Sequence, residues 1–161
     1  TENITLNGIS NVPTVNSYVI IYRMFVLTAG SGGTNAGNIT ATAQTDATLT
    51  AQISTGLNQT LMAIYQIPAG FTGYLARYYA SMNNPVAAVS CDVKLLSKPL
   101  GGVFNTKHII GLNSQGASFV DYKYDTIPLV LTEKTQVKIS ATVSSNNIDV
   151  SGGFDIILIP N

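Results

Sequence analysis

Wherever the pattern of this chain is clear, its apolar residues recur at every second position, and that period restricts the fold to strands. In residues 135–144, Val137, Ile139, Ala141 and Val143 point one way while Gln136, Lys138, Ser140 and Thr142 point the other. Successive strand side chains face opposite sides, so this is a strand buried on one face. Residues 47–53 repeat the pattern, with Ala47, Leu49, Ala51 and Ile53 against Thr48, Thr50 and Gln52, and residues 38–43 follow it more weakly. Residues 18–27, 61–67 and 154–159 are apolar on both faces, short, and bounded by Gly, Pro or Asn, as central strands are. Residues 74–82, 86–96, 103–112, 117–124 and 127–131 complete a set of about ten strands. Turn chemistry punctuates them at 29–33, 68–70, 83–85, 99–102, 113–116, 144–147 and 151–153. No 3.6-residue stripe is long enough for a helix of more than a turn or two. The fold expected is all-β: one antiparallel β-sandwich, jelly-roll-like, over residues 1–161.

A chain of 161 residues with 45% hydrophobic residues can build one core without disulfides, and it has a single cysteine, Cys91. Charge is the anomaly. Only 10% of residues are charged, eight basic and eight acidic, against about 25% in an ordinary domain. Its surface must therefore be Thr, Ser, Asn, Gln and Gly, without the repulsion that keeps like molecules apart. Such a surface suits packing against copies of itself. Nucleic acid is not an expected partner, because phosphate needs clustered Lys and Arg, and the loose group Lys94, Lys98 and Lys107 is answered by Asp92. No apolar run reaches the length of a membrane-spanning helix, so no membrane partner is expected. The first residues, Thr-Glu-Asn, lack the blocks of a signal peptide, and the absence of disulfides leans toward synthesis in a cytoplasm. Charge is also uneven: residues 1–60 carry only Glu2, Arg23 and Asp46. The stretch 28–60, charged only at Asp46, reads as a Thr-rich hairpin or arm whose Thr faces pair with a neighbouring subunit.

The chemistry-bearing residues form no catalytic set. The Gly-rich run at 30–37 has no Lys for phosphates and no helix after it, so it is a turn rather than a nucleotide loop. His108, the single histidine, is expected to share a strand face with Phe104, Thr106 and Ile110, packed in the core or an interface. One His and one Cys make a zinc site within one chain unworkable. Asp121 and Asp125 lie about 13 Å apart by strand rise, beyond the roughly 5–9 Å of paired glycosidase carboxylates. With Lys123 between them they form an alternating-charge face, and Tyr122 and Tyr124 lie opposite. Neither an enzymatic activity nor a cofactor is expected. Tyr is enriched, with eight Tyr, five Phe and no Trp. Tyr74, Tyr78, Tyr79, Tyr122 and Tyr124 are the candidate interface or ligand platform, since Tyr combines contact area with a polar tip. Period two places Tyr74 and Tyr78 on one face and Tyr79 on the other.

Several stretches taken together resemble virion structural proteins of tailed bacteriophages, especially marine ones. They are Gly-Thr-Asn-Ala-Gly-Asn-Ile-Thr-Ala-Thr at 33–42, Thr-Leu-Met-Ala-Ile-Tyr at 60–65, Ile-Pro-Ala-Gly-Phe-Thr-Gly-Tyr at 67–74 and Tyr-Ala-Ser-Met at 79–82. Pro-Leu-Gly-Gly-Val-Phe at 99–104, Pro-Leu-Val-Leu-Thr-Glu-Lys-Thr at 128–135 and Asn-Ile-Asp-Val-Ser-Gly-Gly-Phe-Asp at 147–155 complete the order. The resemblance covers most of the chain and implies a β-sandwich subunit on the outside of a particle, as a capsid decoration, fibre or tail-associated component. It carries no functional residue with it. The near-chargeless surface leads us to expect copies of the chain as partners, in a trimer, and the resemblance adds other virion proteins. A glycan-binding adhesion module on a host surface is the alternative.

Overall fold

The computed structural model describes all residues except 146 and 147, and the side chains of all but these and residues 85–87 and 114–117. The chain divides into two compact units, Thr1–Met62 and Ala63–Asn161. The described residues contain strands and no helix. The arm expected at 28–60 lies in the first unit, and the sandwich is built in the second.

The first unit holds one two-stranded antiparallel sheet, β1 (Ile39–Thr42) with β2 (Leu49–Ile53), in the register Ile39 to Ile53. Its turn is closed by the Ala43 carbonyl, which accepts from the Ala47 amide at 2.9 Å, and by the Asp46 carboxylate, which accepts from Thr48 N. The Gly-rich run is tied down by an amide clasp. Asn35 N donates to Asn58 Oδ1 and Asn58 N donates to Asn35 Oδ1, both at 3.0 Å, and Asn35 Nδ2 also reaches the Gly37 and Ser54 carbonyls. Residues 18–27, expected as a strand, form none. Their one ladder contact is the bridge from Phe25 to Gln59. Residues apolar on both faces become a strand only where sheet neighbours cover both, and here residues 58–60 pair along a single edge.

Glu2 closes a loop at the start of this unit. Its carboxylate accepts from Val15 N at 2.7 Å, Asn16 N at 3.1 Å, Asn16 Nδ2 and Tyr18 OH. These donors, the Val15 amide foremost, hold the carboxyl at about 2, below its ordinary 4.5. A depressed pKa means that the clasp is in force above the ordinary value and is lost as pH falls through about 2. The Val15 and Asn16 amide resonances are therefore expected to titrate with a midpoint near 2; a midpoint near 4.5 would mean the clasp is absent in solution.

In the second unit, a short β3 (Ile64–Gln66) precedes the turn at Pro68, where the Pro68 carbonyl accepts from Phe71 N and Gly70 takes φ 77°. The long β4 (Phe71–Lys98) follows, then the turn closed by Pro99 O and Gly102 N, then β5 (Asn105–Lys123), β6 (Leu129–Leu131), β7 (Gln136–Val143) and β8 (Asp149–Pro160). β4 organises all of them. Along one edge it pairs with β6 and then β5 (Arg77 to Lys123, Leu95 to His108); along the other its first half pairs with β8 and its second with β7. The exchange of β8 for β7, with the register shift between Asn84 and Val89, marks where β4 passes from one layer to the other. β5 accompanies it, so the six strands of this unit supply eight strand segments in two layers. Turns expected at 83–85 and 113–116 fall within β4 and β5 and reach the residues without described side chains; the one at 144–147 runs into residues outside the described set.

The inner faces of both layers share one core: Leu75, Tyr78, Ala80 and Met82 from the first half of β4, Val89, Cys91, Val93 and Leu95 from the second, with Ile110, Leu112, Leu131 and Val137. This is the antiparallel β-sandwich the alternation predicts, and Val137 and Ile139 of β7 face inward as expected. Cys91 is 1% exposed, and burial pushes its thiol up, making it an inert core residue. Gly73 lies where β4 crosses over Ile67. A Cβ there would stand 3.2 Å from Ile67 Cγ1 and 3.3 Å from Ile156 Cγ2, and Ile67 is fully buried with nowhere to go. Gly73→Ala is expected to destabilise by about 1–3 kcal/mol, read as a lowered denaturation midpoint at unchanged slope.

Candidate functional site

Two bulges decide where the five tyrosines stand. Across β8, Leu75 pairs with Ile156 and Arg77 with Asp155, so Ala76 is one residue too many. Such an insertion advances the side-chain phase by one position. Leu75 and Tyr78 are both 0% exposed although three residues apart. The face assignment from strict period two is thereby corrected: Tyr78 points into the core, while Tyr74 and Tyr79 share the outer face. A second shift lies between Leu95, paired with His108, and Leu96, paired with Thr106, leaving Lys107 as the extra residue. His108 and Ile110 accordingly face inward, and the expected common face with Phe104 and Thr106 is broken. Phe104 instead lies under the ammonium groups of Lys138, at 4.3 Å, and Lys98, at 5.8 Å.

The bulges assemble an aromatic cluster between the layers. Tyr122 faces Tyr78 across β4 and β5, with centroids 5.7 Å apart, and Tyr124 stands edge-on to Tyr122 at 5.1 Å. His108, from the other layer, stacks on Tyr122 at 4.3 Å and meets Tyr78 edge-on at 5.6 Å. Burial pushes the Tyr78 hydroxyl well above the usual phenol range, with Tyr124 and Tyr122 adding to it. The hydroxyl therefore stays protonated, and it is hydrogen-bonded to Nδ1 of His108. Burial likewise raises the Tyr124 hydroxyl. The group joins one layer to the other at the β5 edge, where Tyr122, 37% exposed, is its open member.

The outer-face pair is arranged differently. The Tyr79 ring lies across Gly153, which has no side chain to exclude it, and under the Arg77 guanidinium at 5.3 Å. Arg77 Nε meets Asp155 at 3.0 Å and Asp121 at 3.6 Å, and Lys123 Nζ is 3.9 Å from Asp121. Asp121 is thus part of an alternating-charge face, as expected, while Asp125 lies beyond the end of β5. Tyr74 sits between Val130 and Ile157 in the ladder, both exposed. The five tyrosines therefore form two groups rather than one platform. The bulge at Ala76 had a signal in the sequence, since apolar Leu75 and Tyr78 break the period of two. The bulge at Lys107 had none.

A pocket of about 140 Å³ lies elsewhere, lined by Ser97, Pro99, Lys107, Leu129–Leu131, Thr132 and Thr135, and none of the five tyrosines reaches it. Among the described residues, no three of His, Cys, Asp and Glu gather where they could hold a metal ion. The hydrogen-bond partner that these residues give His108 is a phenol, where a catalytic triad would place a carboxylate. The arrangement joins the two layers. No known protein family, curated protein or solved structure matches the chain.

Proposed function

We propose that the chain is a structural subunit of a bacteriophage virion, a capsid decoration, fibre or tail-associated component, that assembles through contacts between its own copies. The observation that carries this reading is the surface. Twenty-three large apolar side chains stand exposed among the described residues, on a chain with only eight basic and eight acidic groups. On the sandwich they include Phe119, Val130, Ile157 and Ile159. Large apolar surface without charge marks a protein contact. The sequence resemblance to virion proteins supplies the kind of particle. β5 adds a 19-residue strand whose only ladder partner among the described residues is β4, an edge open to pairing.

Rebinding to particles stripped of this protein tests the reading, beside a glycan array. Saturable rebinding without a glycan signal is the expected result. Sugar binding abolished by Tyr79→Ala, which alters an outer-face ring, would make the adhesion module the main function instead.

A further inference from the structure

We propose that Thr1–Met62 is an assembly arm whose apolar side chains are covered by the same unit of further copies of this chain. The inference rests on the homo-oligomeric reading above and assigns it a surface. The first unit has no adequate core of its own: its buried residues are Ala51, Ile53, Asn35 and Thr60, two of them polar. Yet thirteen of the twenty-three exposed large apolar residues belong to it. Ile9 is 105% exposed, Val19 96% and Val15 92%, as open as in an unfolded chain. Ordering a residue costs roughly 1–2 kcal/mol in backbone entropy, and an isolated two-stranded hairpin such as β1–β2 is marginal in water. Burial within this unit does not offset that cost; cover from outside it does.

The charges identify the cover. All three charged residues of the unit are answered inside it. Glu2 holds the Val15 and Asn16 amides, Asp46 the Thr48 amide, and Arg23 bonds Gln59 Oε1 at 3.2 Å while lying over the Phe25 ring. With three charged side chains in the whole unit, a highly charged partner finds little to pair with. A second copy brings a surface equally apolar and equally poor in charge, so like meets like at little electrostatic cost, as a symmetric contact requires. β1 and β2 pair only with each other among the described residues, leaving outer edges for a neighbour's strands.

Sedimentation equilibrium of the full chain tests this, comparing the parent with the triple variant Ile9→Ser, Val15→Ser, Val19→Ser and with the double variant Leu100→Ser, Val103→Ser on exposed sites of the second unit. All five side chains face solvent in the single chain, so the thermal melt of the sandwich should be unchanged. Full burial of such a side chain is worth about 1.5–3 kcal/mol, and about 1.4 kcal/mol is tenfold. The triple variant should associate at least about a hundredfold more weakly, and the double variant like the parent. An assembled parent with an unaffected triple variant overturns the arm, as does equal weakening by both variants. A parent that is monomeric throughout overturns the homo-oligomeric reading itself. A monomer whose binding to stripped particles fails in the triple variant gives the cover to another virion protein and overturns the second copy as occupant.

Discussion

Tyr78→Ala is expected to cost about 3–5 kcal/mol of global stability, the range for removing a buried aromatic side chain. Tyr78 is 0% exposed, touches the rings of His108 and Tyr122, and is hydrogen-bonded to His108 Nδ1. Tyr78→Phe keeps the ring and loses one hydrogen bond, so it should cost about 1 kcal/mol. Tyr79→Ala should cost less than Tyr78→Ala, because its ring lies on the outer face over Gly153. Denaturant midpoints at constant slope read all three. A Tyr78→Ala protein within 1 kcal/mol of the parent would show that the cluster does not join the layers as described.

Deleting Ala76 should be at least as damaging as any single core truncation. A bulge residue is the only reason Leu75 and Tyr78 can both be buried three positions apart. Without it, one side of β4 must slip by one residue, and a slip of one turns every side chain of that segment to the opposite face. The cheaper choice moves 71–75 and exposes Leu75, a loss of about 2–5 kcal/mol by analogy with large-to-small core changes. Moving the longer side would expose Tyr78, Ala80 and Met82 together. A deletion variant as stable as the parent would mean that the shift between Leu75 and Arg77 is not structural.

These expectations mark the line between what was legible in the chain and what was not. Alternation made the class of fold readable, and at Val137 and Ile139 it gave the buried face, while Ala141 and Val143, further along the same regular strand, are exposed. It failed at two kinds of place. At Ala76 and Lys107 the period itself changes, and a rule that assumes constant phase puts Tyr78 beside Tyr74 and His108 beside Phe104. At residues 18–27 composition suggested a central strand, but a strand also needs neighbours, which composition does not reveal. The candidate site suffered from the first failure: the sequence supplied its five tyrosines, and the bulges divided them into an inner cluster with His108 and an outer pair beside Arg77.

The mass of the chain in solution tests the central claim most directly. Light scattering after chromatography, from micromolar concentration upward, should give a multiple of 17.0 kDa, threefold for the expected trimer, falling toward the single-chain value only on dilution. A mass of 17.0 kDa at every concentration reached would contradict a chain built to assemble with its own copies.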